Sequence, residues 1–249
     1  MSRAVPFSAV LRSEWTKLRT LRSTWWCAAV YVVVALGFGW LAAAVTDRVP
    51  SADLAVAAAL IGLGFGQLVL VVLGVLVGAT EFTSGSAMVS FTGVPRRGRL
   101  LLAKTVVAVA FTAVLTAVLA AGCVLAAHTL TEVTGGLDLT SPAVLRPVGL
   151  QIAEAALVVV LSVALGTMLR STAGGVGLGM ALVLVAPPLL AADGRRLSRW
   201  IADALPALRV GEEPFLAGPG TWTVGLAVAA TWAVAVWVVT AVLLERRDV

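Results

Sequence analysis

The chain has one histidine, His128, two cysteines, Cys27 and Cys123, and thirteen acidic residues among 249. A metal site needs three or four ligands converging, and nucleophilic catalysis needs a base within hydrogen-bond reach of the nucleophile. His128 lies at the end of a long apolar run and Ser86 lies beyond the start of that run, so they cannot form a serine hydrolase pair. The cysteines sit inside apolar segments with no partner at ligand spacing and read as small packing residues. GVPRRGRL, Gly93 to Leu100, has the two-glycine spacing of a phosphate-binding loop. Arg99 and Leu100 replace the Lys and Ser/Thr that would hold phosphate and magnesium, so it is a chance match. Metal ligation is not predicted anywhere. Two polar residues remain inside apolar runs, Gln67 and Glu154. An ionisable group inside a membrane is a functional candidate by default, here as part of a substrate path. The plainer alternatives are a helix-to-helix hydrogen bond for Gln67 and a carboxylate reaching toward the outer interface for Glu154.

The elements that would position these residues follow from composition. Hydrophobic residues make up 60% of the chain and charged ones 12%, and the mean hydropathy is +1.01. This is the make-up of an integral membrane protein. A hydrocarbon core of about 30 Å needs roughly 20 helical residues. Six runs reach that length: 25–45, 54–79, 105–127, 148–169, 173–192 and 222–244. They are continuous rather than alternating, which predicts helices and not a barrel. The fold expected is an all-α integral membrane protein, one polytopic domain over 1–249. No segment outside the runs is long enough to bury a core of its own.

Twelve of the 18 basic residues fall on one side of that arrangement, including Arg12, Lys17, Arg19, Arg96, Arg97, Arg99, Lys104 and Arg170. The positive-inside rule puts that side, and both termini, in the cytosol. The net charge of +5 then sits beside membrane ends and meets anionic lipid, with no nucleic-acid partner implied. The first run is too long for a cleaved signal and reads as an anchor. Abundant arginine, alanine and valine suggest a GC-rich bacterial genome.

Before the first run, 7–24 reads as an amphipathic helix with Phe7, Leu11, Trp15, Leu18, Leu21 and Trp25 on one face. Arg12, Thr16 and Arg19 turn away from it, which suits a helix lying on the inner leaflet. The inner hairpin 80–104 carries Phe82, Met88 and Phe91 on a short helix that Pro95 closes. Arg96, Arg97, Arg99 and Lys104 then meet lipid headgroups. In the outer loop 193–221, Leu197, Trp200, Ile201, Leu205 and Leu208 form an amphipathic face that lies in or dips into the interface. Pro187 and Pro188 precede it and mark either a kink or a helix end. The glycines Gly62 to Gly66, Gly74 with Gly78, and Gly174 to Gly179 read as small-residue contacts between helices.

SEWTKLRTLRSTWW before the first run, EFTSGS and PRRGRLLLAK after the second, six spans and a terminal ERRDV together resemble the permease subunit of type-2 ATP-binding-cassette exporters, in its actinobacterial form. The resemblance covers essentially the whole chain. It implies that the opening helix is the connecting helix, with Arg12, Glu14, Trp15, Lys17 and Arg19. It also implies a coupling helix over Glu81 to Phe91, with Glu81, Phe82, Gly85, Met88 and Phe91 facing a soluble ATPase subunit. ATP and magnesium would be bound by that ATPase and no cofactor by this chain. Two permease copies, identical or paralogous, would pair in the bacterial cytoplasmic membrane, and the element at Leu197 to Leu208 would be re-entrant. The chain itself would not be an enzyme. Phe82 stands where the family often has tyrosine, and Gly85-Ser86 where it often has Gly-Thr; both exchanges are mild. The alternative from another class is a secondary transporter driven by protons through Glu154. Against it, the runs show no inverted repeat with paired broken helices.

Overall fold

The computed structural model describes residues 6–46, 48–49, 51–83, 97–133, 136–185 and 221–246. Among them are seven α-helices: α1 Phe7–Thr20, α2 Arg22–Val45, α3 Ala52–Thr83, α4 Arg97–Leu130, α5 Pro142–Leu169, α6 Thr172–Met180 and α7 Thr221–Arg246. α6 continues as a π-helical turn, Ala181–Val185. Five of these helices, α2, α3, α4, α5 and α7, are long and apolar enough to cross a bilayer. The chain thus has the build of a multi-pass membrane protein.

The helices overrun the apolar runs read from sequence. α3 continues through Thr83 and α4 begins at Arg97, so most of what reads as hairpin on either side of 84–96 is helix. α5 begins at Pro142, whose fixed φ and missing N–H suit the first helical position. Hydropathy marks only the stretch inside hydrocarbon, whereas backbone hydrogen bonding continues past it. The opening helix is shorter than expected. It stops at Thr20, and Leu21, with ψ of 122°, separates it from α2. Pro187, Pro188 and the outer amphipathic segment at 197–208 lie outside the described residues.

α3 and α5 form the centre, each more buried than α2, α4 or α7. Their seam is built from small residues. A Cβ placed on Gly74 would come within 2.6 Å of Ser162, and one on Gly166 within 2.5 Å of the Val75 carbonyl. Gly78 meets Val163 and Thr167 in the same way. Backbones that approach this closely gain dispersion contact along their length, the main source of helix association where lipid is as apolar as leucine. The glycine readings therefore divide. Gly62, Gly66, Gly175 and Gly179 also lie against neighbouring chain, whereas Gly64 and Gly177 face open space.

Hydroxyls inside the apolar helices are hidden by bonding back to their own backbone. Thr105 donates to Leu101, Thr112 to Ala108, Ser162 to Val158 and Thr167 to Val163, each one turn earlier, at 2.7 to 2.9 Å. None of them need reach water. At the end away from α1, β1 Arg48–Val49 pairs in parallel with β2 Glu132–Val133, tying the α2–α3 connection to the end of α4.

A candidate coupling site at the end of the bundle

α1 packs on α4 through Val10, Leu100 and Ala103, with Phe7 and Leu11 beside them. The face it buries runs through Val10, Glu14 and Leu18, while Trp15 is 42% exposed. The packed face is thus rotated from the tryptophan stripe read from sequence. Trp15 sits at its edge, and a glutamate occupies its middle.

That glutamate is met by charge. Lys17 Nζ lies 2.6 Å from Glu14 Oε1 and 2.7 Å from Glu81 Oε1. Lys104 Nζ lies 3.1 Å from Glu14 Oε2 and 3.0 Å from Glu81 Oε1. Each carboxylate touches both ammonium groups, closing a ring of two acids and two bases. Spacing of three residues puts Glu14 and Lys17 on one face of α1. Glu81 comes from the described end of α3, and Lys104 from near the described start of α4. Glu14, Glu81 and Lys104 are buried, which charged groups tolerate only when paired and hydrogen-bonded.

Glu81 is buried, so the two lysines must offset the cost of taking its carboxylate out of water. Glu81 belongs to α3 and is paired with Lys17 and Lys104, while Arg12 is exposed. Lys104 is no lipid contact. Its side chain is turned into the bundle because two carboxylates wait there. Burial pulls the Lys17 ammonium down, but hydrogen bonds from it to Glu14 and Glu81 outweigh that and hold its pKa above the ordinary 10.5.

Other predicted residues scatter. Arg19 and Arg99 are exposed, and Arg97 opens α4. Phe82 is half-buried against the core, with the Arg170 guanidinium 5.2 Å from its ring centre. Arg170 takes a left-handed conformation, φ 51°, just past α5. Gly85, Met88, Phe91 and Arg96 lie outside the described residues. Sequence reasoning missed the part played by Arg170 because a cation over an aromatic ring has no spacing signature.

A cavity of about 320 Å³ adjoins the ring, between the α1–α2 junction and the facing ends of α3 and α4. Deeper in the bundle a second polar group forms. Glu154 of α5 is buried beside Gln67 of α3, with Tyr31 of α2 nearby. The carboxyl therefore points into the bundle and not toward an interface. Gln67 Nε2, wholly buried, falls outside hydrogen-bonding geometry with it. Tyr31, the one tyrosine, shares a 3.0 Å hydrogen bond with Thr116 of α4 and covers Gly66. Gln67 and Glu154 are thus brought together as a pair. Among the described residues no three His, Cys, Asp or Glu side chains gather to hold a metal ion.

No protein-family model matches the chain, and no curated protein matches it.

Proposed function

We propose that the chain is the membrane-spanning subunit of an ATP-driven exporter, working with a separate ATPase. The observation that supports this reading is the buried ring of Glu14, Lys17, Glu81 and Lys104. Residues 84–96 join two helices, α3 and α4, and the ring clamps the surface helix α1 to both at the point where that segment begins and ends. A push on 84–96 by a soluble partner would pass into α3 and α4 together, and α1 would move with them. Such a clamp has an evident use in a protein driven from outside the membrane.

In this reading the chain spans six times, the apolar run 173–192 read from the sequence adding to the five long helices. Both termini and 84–96 face the cytosol, the side richer in arginine and lysine. Two copies, or one with a paralogue, enclose the path. ATP and magnesium belong to the ATPase.

Glu154 beside Gln67 gives the second reading, proton-driven transport. One experiment separates the two. The chain is co-expressed with a candidate ABC ATPase subunit, sought among the genes beside it, and export from cells is followed during ATP depletion and, separately, during collapse of the proton gradient. Co-purification with the ATPase and loss of export on ATP depletion alone support the exporter. Loss on gradient collapse alone, with no ATPase bound, supports Glu154. An ATPase that neither binds nor affects export removes the first reading.

A further inference from the structure

The cavity beside the ionic ring has all four charged residues of the ring, Glu14, Lys17, Glu81 and Lys104, in its lining, with Thr20 and Thr80, while Leu18, Leu21, Val77 and Val107 supply its apolar surface. The polarity runs along the helices. Val77 lies one turn deeper in α3 than Glu81, and Val107 nearly one turn deeper in α4 than Lys104. A ligand seated here would have a polar head at the level of α1 and an apolar body pointing into the bundle. Its volume lies at the lower end of the range for small-molecule sites.

The mouth carries spare positive charge. An ammonium has three donors, and Lys17 gives two to Glu14 and Glu81, leaving one. Its side chain is 41% exposed, unlike the buried Lys104. Thr20 and Leu21 line the opening, and the exposed Arg19 and Arg22 bracket them in the chain. The ring itself is charge-balanced, so Arg19 and Arg22, beside the lining residues in the chain, leave this end of the bundle with an excess of positive charge.

We propose that this cavity binds an anionic glycerophospholipid from the leaflet on which α1 lies, with its phosphate on the Lys17 ammonium and an acyl chain along Val77 and Val107. The bound lipid would fill the gap between α1 and the α3–α4 ends and so stiffen the junction at Leu21. The inference holds whether or not the chain works with an ATPase, and needs only that the helices lie in a bilayer.

The test uses the full-length chain purified in detergent. Native mass spectrometry and thermal unfolding are recorded with added phosphatidylglycerol, phosphatidylcholine or inorganic phosphate. The expected result is a retained phosphatidylglycerol and a rise in melting temperature that neither phosphatidylcholine nor phosphate reproduces. Val77→Phe fills the apolar body without touching the ring, and should weaken phosphatidylglycerol binding by about tenfold or more. Should that variant fail to fold, phosphatidylglycerol bearing a photoreactive acyl chain is applied to the unaltered protein, and crosslinks should map to α3 and α4 around Val77 and Val107. Equal stabilisation by phosphatidylcholine, full stabilisation by free phosphate, undiminished binding to folded Val77→Phe, or crosslinks confined to other surfaces would each overturn the proposal.

Discussion

At the scale of single residues, the ionic ring makes a sharp demand. Glu81→Gln keeps the shape of the side chain but leaves the buried Lys104 with one carboxylate where it had two. Breaking a buried pair typically costs about 3 to 5 kcal/mol, because a charge is left poorly compensated. Glu81→Gln should therefore lower unfolding stability in detergent by an amount of that order. Glu81→Gln combined with Lys104→Met, which restores charge balance, should recover part of the loss, since residues of one network are not additive. If the double variant is less stable by the sum of the single effects, the four side chains do not act as a unit. Lys17 adds a pH signature. Its folded pKa lies above the ordinary 10.5, so its contribution is complete below that value and is lost as pH climbs through the higher folded one. The melting temperature should show no Lys17-dependent loss up to mildly alkaline pH. Comparison with Lys17→Arg, which stays charged, isolates the effect, and a difference that opens near neutrality would contradict it. Little of this was legible in the sequence. Lys104 and Glu14 are 90 residues apart, and no periodicity within one helix announces a partner on another.

Among the elements, the α3–α5 seam separates glycines that matter from those that do not. Gly166→Ala puts a methyl against the Val75 carbonyl, and the two backbones must part. Overpacking of this kind costs about 1 to 3 kcal/mol. Gly64→Ala meets nothing within 4 Å and should be neutral or stabilising by about 0.5 to 1 kcal/mol, the usual helical gain. Thermal unfolding of the two variants side by side checks the contrast, and similar losses would mean the seam is not closely packed. This level was the most legible. Long apolar runs must be helices where water cannot satisfy the backbone, and small residues at spacing of four mark where helices touch. The Leu21 break was not legible, because neither glycine nor proline marks it and the apolar stripe runs on through Trp25. What holds the corner is tertiary: the Trp25 indole donates to the Arg19 carbonyl at 2.9 Å and its ring meets Phe111 edge-on.

For the whole molecule, the helices place α1 and the β1–β2 pair at opposite ends. Cysteines introduced at Ser13 and at Thr140, both exposed, should react from opposite faces of the membrane once Cys27 and Cys123 are replaced by alanine. Labelling of both by an impermeant reagent from one face would reject the arrangement. The ring at one end also sets an order in time. Glu14 leaves the ribosome 90 residues before Lys104, and at about 5 to 20 residues per second that interval is on the order of ten seconds. Glu81, the other acid, arrives before Lys104 as well. During synthesis, then, the nascent chain holds two carboxylates and a single lysine at this spot until α4 emerges, and α1 can settle into its buried seat only when the fourth charge is delivered.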